Sequence, residues 1–213
     1  MGRYQNKVIW ITGASSGIGK ALAYEFAARG NKLALSARNE EKLQQIRQNC
    51  EAKGASTEVF PFDLMDVDRI PEIVDKVIAY YGRVDLLVNN GGVSQRSFTR
   101  ETSLEIDRKI MEINYFGNIA LTKAIIPYML EAGGGHIAVT NSIVGKFGFP
   151  LRSAYSASKH ALIGFYDSMR AELKGQNIRV SMLIPGRIRT EISVNALDKE
   201  GKAYAKRDPG QER

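Results

Sequence analysis

A chain of 213 residues, 44% hydrophobic and 25% charged, suits one domain with a full core, so a single unit spanning 1–213 is expected. The one cysteine, Cys50, excludes an internal disulfide, and two separated histidines, His136 and His160, leave no metal-ligand set. The net charge of +7 raises nucleic-acid binding, but the basic residues are scattered among acids without a recognition motif, so no nucleic acid is expected.

Met1–Asn6 runs directly into a strand with no signal-peptide pattern. No stretch approaches the ~20 apolar residues of a membrane helix. A soluble, cytoplasmic chain is the expectation. Lys7–Ile11 is a short apolar run and reads as a buried strand. Thr12–Gly19 follows as a glycine-rich turn, and Lys20–Arg29 carries apolar residues at helical spacing before Gly30. A strand that enters a glycine turn opening a helix brings free N–H groups and the positive helix end against an anion, which reads as a pyrophosphate cradle.

Lys32–Ser36 is the second strand, and in a dinucleotide fold its end meets the adenosine ribose. It reads Ser36-Ala37-Arg38, with no acid to repel a 2′-phosphate. Arg38 offers a bidentate fork and Ser36 a hydroxyl, so NADP(H) is expected over NAD(H). Helices follow at Glu40–Lys53 and Val67–Tyr81, and strands at Thr57–Pro61 and Val84–Val88. This βα alternation predicts a parallel sheet covered on both faces.

The fourth strand ends in Asn89-Asn90-Gly91-Gly92, placing carboxamides and close-approach glycines at the ligand edge. Leu104–Leu130 is predicted largely helical, with Asn114 in an unfavourable interior position and Pro127 marking a kink or irregular last turn. His136–Thr140 is a strand that delivers Ser142 to the same edge. The next helix starts after Pro150, runs to about Lys174 and carries Tyr155 and Lys159, while Ile178–Ile184 is the sixth strand. At i and i+4 the phenol and the ammonium share a helix face roughly 6 Å apart. That proximity predicts a phenol pKa lowered by about two units, toward acid/base work at neutral pH. Beyond Thr190 the chain turns polar, and Asp198–Arg213 has almost no apolar pattern.

Together these residues resemble the short-chain dehydrogenase/reductase family along nearly the whole chain. Thr12–Gly19 matches its TGxxxGIG, and Asn89–Gly92 its NNAG with Gly91 in place of Ala. Ser142 and the Tyr155/Lys159 pair match the catalytic Ser and YxxxK, Asn114 the fourth catalytic position, and Pro185, Gly186 and Thr190 the PGxxxT loop. Asn90–Ser97, Asn141–Ile143 and Ala157–Leu162 look like the dehydrogenase/reductase member 7 branch.

The resemblance implies a Rossmann-type doubly wound α/β sheet of strand order 3-2-1-4-5-6. The family's seventh strand and substrate-covering segment have no counterpart after Thr190, so a short or truncated C-terminal part is expected. The implied activity is hydride transfer between NADP(H) and a carbonyl/secondary alcohol pair. Gly13, Ser15, Ser16, Gly17, Ile18 and Gly19 would surround the pyrophosphate, and Asp63 and Leu64 the adenine. Asn90, Gly91 and Gly92 would flank the ribose, with Pro185, Gly186, Ile188 and Thr190 at the nicotinamide. Tyr155 would be the acid/base, Lys159 its electrostatic partner and a ribose ligand, Ser142 a donor to the substrate oxygen, and Asn114 the holder of a water linked to Lys159. Homodimers or homotetramers are expected by the same resemblance. A catalytically silent NADP(H) sensor or scaffold is the alternative; it needs the glycine turn but not Ser142, Tyr155 and Lys159 together.

Overall fold

The computed structural model describes residues 4–206. The first three residues and the end of the polar tail, 207–213, lie outside the described residues. Strands β1 (Val8–Thr12), β2 (Lys32–Ser36), β3 (Thr57–Val59), β4 (Leu86–Asn89), β5 (Gly135–Thr140) and β6 (Ile178–Leu183) form one parallel sheet in the order β3-β2-β1-β4-β5-β6. The order reverses between β1 and β4, where Ile9 pairs with Leu86 and Ile11 with Val88.

Successive strand side chains point to opposite faces, so each strand serves two cores. Ile9 and Ile11 pack with Ala23 and Ala27 of α1 (Gly17–Ala27) and Leu43, Ile46 and Cys50 of α2 (Glu40–Glu51). Val8 and Trp10 face the other layer, built from α3 (Ile70–Tyr81) and two later helices over Gly117–Glu131 and Ser153–Glu172. Cover on both faces is why a strand such as β1 is apolar at nearly every position. Cys50 packs in the α1–α2 layer, where burial pushes its thiol up to about 11, so it behaves as a small hydrophobe.

One expectation is corrected. The helix expected over Leu104–Leu130 is α4 (Leu104–Met111), a π-turn over Glu112–Phe116, and α5 (Gly117–Glu131). The break falls at Asn114, while Pro127 rides inside α5. The cause is a long-range pairing. Asn114 Oδ1 accepts from Val93 N at 2.8 Å and its Nδ2 donates to Val93 O at 2.9 Å. One turn later, Asn118 Nδ2 donates to the Ile113 and Asn114 carbonyls at 3.1 and 2.9 Å. Carbonyls that a widened turn leaves without an ordinary helical partner are thereby satisfied.

The stretch beyond Thr190 is polar in sequence, and Leu197 stands just before its most polar part. Its described part folds back, with Leu197 bridged in parallel to Gln95 and antiparallel to Ala203. Arg96 N donates to Leu197 O at 2.8 Å and Leu197 N to Ser94 O at 2.9 Å. Leu197 then packs with Ile106, Ile110 and Ala154 of α4 and α6 (Ser153–Glu172). Backbone pairing places that one leucine, so no periodic apolar pattern is needed. Among the described residues no helix is long and apolar enough to cross a membrane.

Candidate active site

The carboxyl ends of the strands open onto a cleft of about 1540 Å³. It lies where the strand order reverses, because neighbouring connections leave in opposite directions there and part. Of the residues predicted from sequence, all but Gly19 and Asn114 line it.

At its first end the glycine turn is stitched to the end of β4. Thr12 Oγ1 accepts from Asn90 N and Gly91 N, both at 3.0 Å, and Asn90 Nδ2 donates to Thr12 O at 3.2 Å and Gly13 O at 3.3 Å. Gly13 sits at φ +62, and a Cβ there would lie 2.8 Å from Gly91 Cα, so this position admits only glycine. A Cβ on Gly19 would meet Gly13 O at 2.3 Å, so Gly19 shapes the turn from behind instead of lining the cleft. Ser16 caps α1 without a side-chain bond, and the first turn of α1 carries no acid. Its backbone N–H groups are left for an anion, and the cradle fits a pyrophosphate.

A Cβ at Gly91 would come 2.6 Å from Leu64 Cδ1, the far end of a side chain that can turn aside. At the end of β2, the Ser36 hydroxyl accepts from Trp10 Nε1 at 2.9 Å and the residue is buried, so its hydroxyl anchors the core. Arg38 remains, 3.9 Å from Asp63, with side chains 65% and 38% exposed, a loose pair that leaves the guanidinium available. Lys42 lines the same end. In sequence it is one more charge on an amphipathic helix, with nothing to single it out.

At the other end, α6 and the chain after β5 bring Tyr155, Lys159 and Ser142 together. The Ser142 hydroxyl and the Tyr155 phenol share a hydrogen bond. The Lys159 ammonium donates to Thr140 O at 2.9 Å and stands 5.8 Å from the centroid of the Tyr155 ring. The i, i+4 spacing is as predicted, but the electrostatic outcome differs. Burial raises the Tyr155 pKa above its ordinary value, against smaller lowering effects from Ser142 and Arg152. Burial also pushes Lys159 down to about 8. Both shifts have one cause, because a low-dielectric wall disfavours either charge.

Asn114 is fully buried, and its Nδ2 also donates to Ser158 Oγ at 3.0 Å. Its carboxamide is thus committed to Val93 and Ser158, which leaves the expected water to its surroundings. Gly92 separates the two groups: a Cβ there would lie 2.9 Å from Asn114 Oδ1 and 3.9 Å from Lys159 Nζ. Pro185 O accepts from Ile143 N at 3.1 Å, and Thr190 packs over Gly17. The exposed apolar side chains Ile143, Phe147, Phe149, Ile188 and Ile192 also line the cleft. Apart from Ile188, sequence reasoning missed them, as it missed Gln95 and Arg152, since none stands in a motif or periodic pattern.

The family model described as short chain dehydrogenase matches residues 7–201. A dehydrogenase/reductase SDR family protein 7-like from Drosophila melanogaster is 46% identical over 206 residues, covering 95% of this chain and 63% of that protein. Dehydrogenase/reductase SDR family member 7B from Mus musculus is 43% identical over 208 residues, covering 96% of this chain and 64% of that protein. The chain thus spans somewhat less than two thirds of the length of these relatives. A solved short chain dehydrogenase/reductase from Burkholderia phymatum in complex with NAD superposes with a TM-score of 0.86 at 30% identity, over 91% of this chain and 70% of that one. NAD+-bound xylitol dehydrogenase gives 0.84 at 29% identity, over 87% and 72%. Sheet order, glycine cradle, clustered Ser142, Tyr155 and Lys159, and these likenesses agree: the chain belongs to the short-chain dehydrogenase/reductase family.

Proposed function

We propose that this domain transfers a hydride reversibly between NADP(H) and a carbonyl/secondary alcohol pair, with Tyr155 as the acid/base. The observation that carries the reading is the convergence of the Ser142 hydroxyl, the Tyr155 phenol and the Lys159 ammonium in one cleft with the uncapped start of α1. A bound nicotinamide supplies or takes the hydride. The chain's own residues do the rest. The cradle from Gly13 to Gly19 binds the pyrophosphate. Asp63 and Leu64 flank the adenine, and Asn90, Gly91 and Gly92 the adjoining ribose. Pro185, Gly186, Ile188 and Thr190 orient the reactive ring.

In the reductive direction Tyr155 gives its proton to the substrate oxygen as that oxygen gains charge. Ser142 turns its hydroxyl from the phenol to the same oxygen, an oxyanion-type contribution. Lys159 holds ribose hydroxyls and favours the phenolate left behind. Asn114 fixes the Val93 backbone and, through Ser158, the turn that carries Tyr155. Arg38, with Lys42 beside it in the cleft, supports the choice of NADP(H), since two cations suit a 2′-phosphate. Oligomers packed through the helical stretch from α4 to α5, with Phe116 of the intervening π-turn exposed, and through α6 belong to the same reading.

The test is calorimetric titration with NADPH and with NADH, on the unaltered chain and on Arg38→Ala. NADPH is expected to bind more tightly, and Arg38→Ala to weaken NADPH about 10-fold or more while leaving NADH nearly unchanged. Equal affinities that Arg38→Ala does not alter would overturn the cofactor choice. Tyr155→Phe is expected to keep cofactor affinity and lose turnover of a carbonyl panel, and normal turnover would remove Tyr155 from its role.

A further inference from the structure

Helix α6 starts without a local cap. Arg152 precedes it at φ −139 and makes no side-chain capping bond, so the first N–H groups need partners from elsewhere. They come from Gln95, which is fully buried in the loop after β4. Gln95 Oε1 accepts from Ala154 N at 2.8 Å and from Tyr155 N at 3.3 Å. Its Nε2 donates to Ser97 Oγ at 3.3 Å, Thr102 Oγ1 at 3.1 Å and Ser153 Oγ at 3.3 Å.

The loop around Gln95 is itself pinned on two sides. Ser94 and Arg96 pair through their backbones with Leu197, and Ser97 N donates to Leu151 O at 3.2 Å. Leu151 holds φ +66, a left-handed bend that turns the chain into α6. Ile106, Ile110, Ala154 and Leu197 form an apolar cluster at this junction. A rigid, buried carboxamide therefore grips the backbone of Tyr155 from a segment that also carries the end of the described chain.

We propose that Gln95 is a positioning residue for Tyr155: its carboxamide caps the first turn of α6 from outside the helix and thereby sets where the phenol stands relative to Ser142. The role rests on Tyr155 being the acid/base. It differs from an ordinary cap because the capped amide is that of the reacting residue. It also couples the segment over the cleft, 193–205, to the proton-transfer group through one side chain.

The test uses the full chain labelled with 13C at tyrosine Cζ, titrated by NMR from neutral pH to about 11, a span that brackets the ~10 of a free phenol. Tyr155 is assigned by the resonance missing from Tyr155→Phe. Gln95→Leu removes both capping bonds. Its Tyr155 midpoint is expected to fall toward the free-phenol value as water reaches the loosened turn. Gln95→Glu keeps the acceptor for Ala154 N and Tyr155 N, and the three hydroxyls can rotate to donate to it. That variant restores the cap: its Tyr155 midpoint is expected to stay at or above that of the unaltered protein, while its buried carboxylate lowers the melting temperature.

A merely structural glutamine predicts something else: lower melting for Gln95→Leu, with a Tyr155 midpoint that does not fall. That pattern overturns the proposal. Should Gln95→Leu fail to fold, Gln95→Asn, one methylene too short to reach both amides, takes its place, and a Tyr155 midpoint that does not fall there overturns the proposal. None of these readouts needs turnover, so an active Tyr155→Phe protein would sink the acid/base reading while leaving the positional link measurable.

Discussion

Tyr155 and Lys159 are each driven toward their neutral forms by the wall that holds them. For Tyr155 this keeps the phenol protonated at neutral pH, the form that donates to a forming alkoxide. For Lys159 it places loss of the ammonium near pH 8. Reduction needs both protons, so its rate is expected to be level below about pH 8 and to fall above it, while oxidation rises with pH through the phenol's ionisation. A pH–rate profile in each direction checks this, and a reductive rate that climbs above pH 8 would contradict it. Stability has a linked sign. The folded pKa of Lys159 lies below its unfolded value of 10.5, so between about 8 and 10.5 the unfolded chain holds the extra proton and this group's contribution grows more favourable as pH rises. Lys159→Met removes that slope. Among the described residues no carboxylate pairs with Lys159, so the methionine variant is expected to melt no lower than the unaltered protein at pH 7 while losing turnover about 100-fold or more. Thermal melts at pH 7 and pH 9.5, with kcat beside them, read both effects.

At the scale of elements, the π-turn between α4 and α5 joins the helical layer to the ligand edge. Asn114 reaches Val93 on the loop after β4, and Asn118 Nδ2 spans Gly91 O at 3.2 Å and two carbonyls of the turn. Asn118→Leu leaves those buried carbonyls short of a donor and is expected to cost about 2–3 kcal/mol, read as a shift in urea midpoint without a change in slope. A loss under ~0.5 kcal/mol would show the turn to be held by its own backbone. The strands were legible because alternation and all-apolar runs are properties of neighbouring residues, as Val8–Thr12 shows. The π-turn was not, because its cause lies 21 residues away, in Val93. Pro127 carried the local signal for a break and Asn114 the tertiary one, and the tertiary one prevailed. The shared helix of Tyr155 and Lys159 was legible from their spacing, whereas the upward shift of Tyr155 follows from burial that no spacing reveals.

At the scale of the molecule, the formal charge of +7 surrounds a cleft that offers Arg38 and Lys42 at one end. A multiply anionic dinucleotide is drawn into such a field, and salt screens it over about 8 Å at physiological strength. NADPH affinity is therefore expected to fall several-fold between 50 and 300 mM salt, with NADH falling less. Calorimetry at the two concentrations decides, and a flat response would assign the affinity to the cradle's N–H groups alone.

The pairing of Leu197 with Ser94 and Arg96 has a temporal meaning during synthesis. The ribosome delivers the cradle and its β4 stitch once residues up to Gly91 have emerged, long before Tyr155 leaves the exit tunnel. Leu197 follows the loop it pairs with by about a hundred residues. The glycine turn and the Gln95 loop can thus be complete before the segment that pairs with that loop is available.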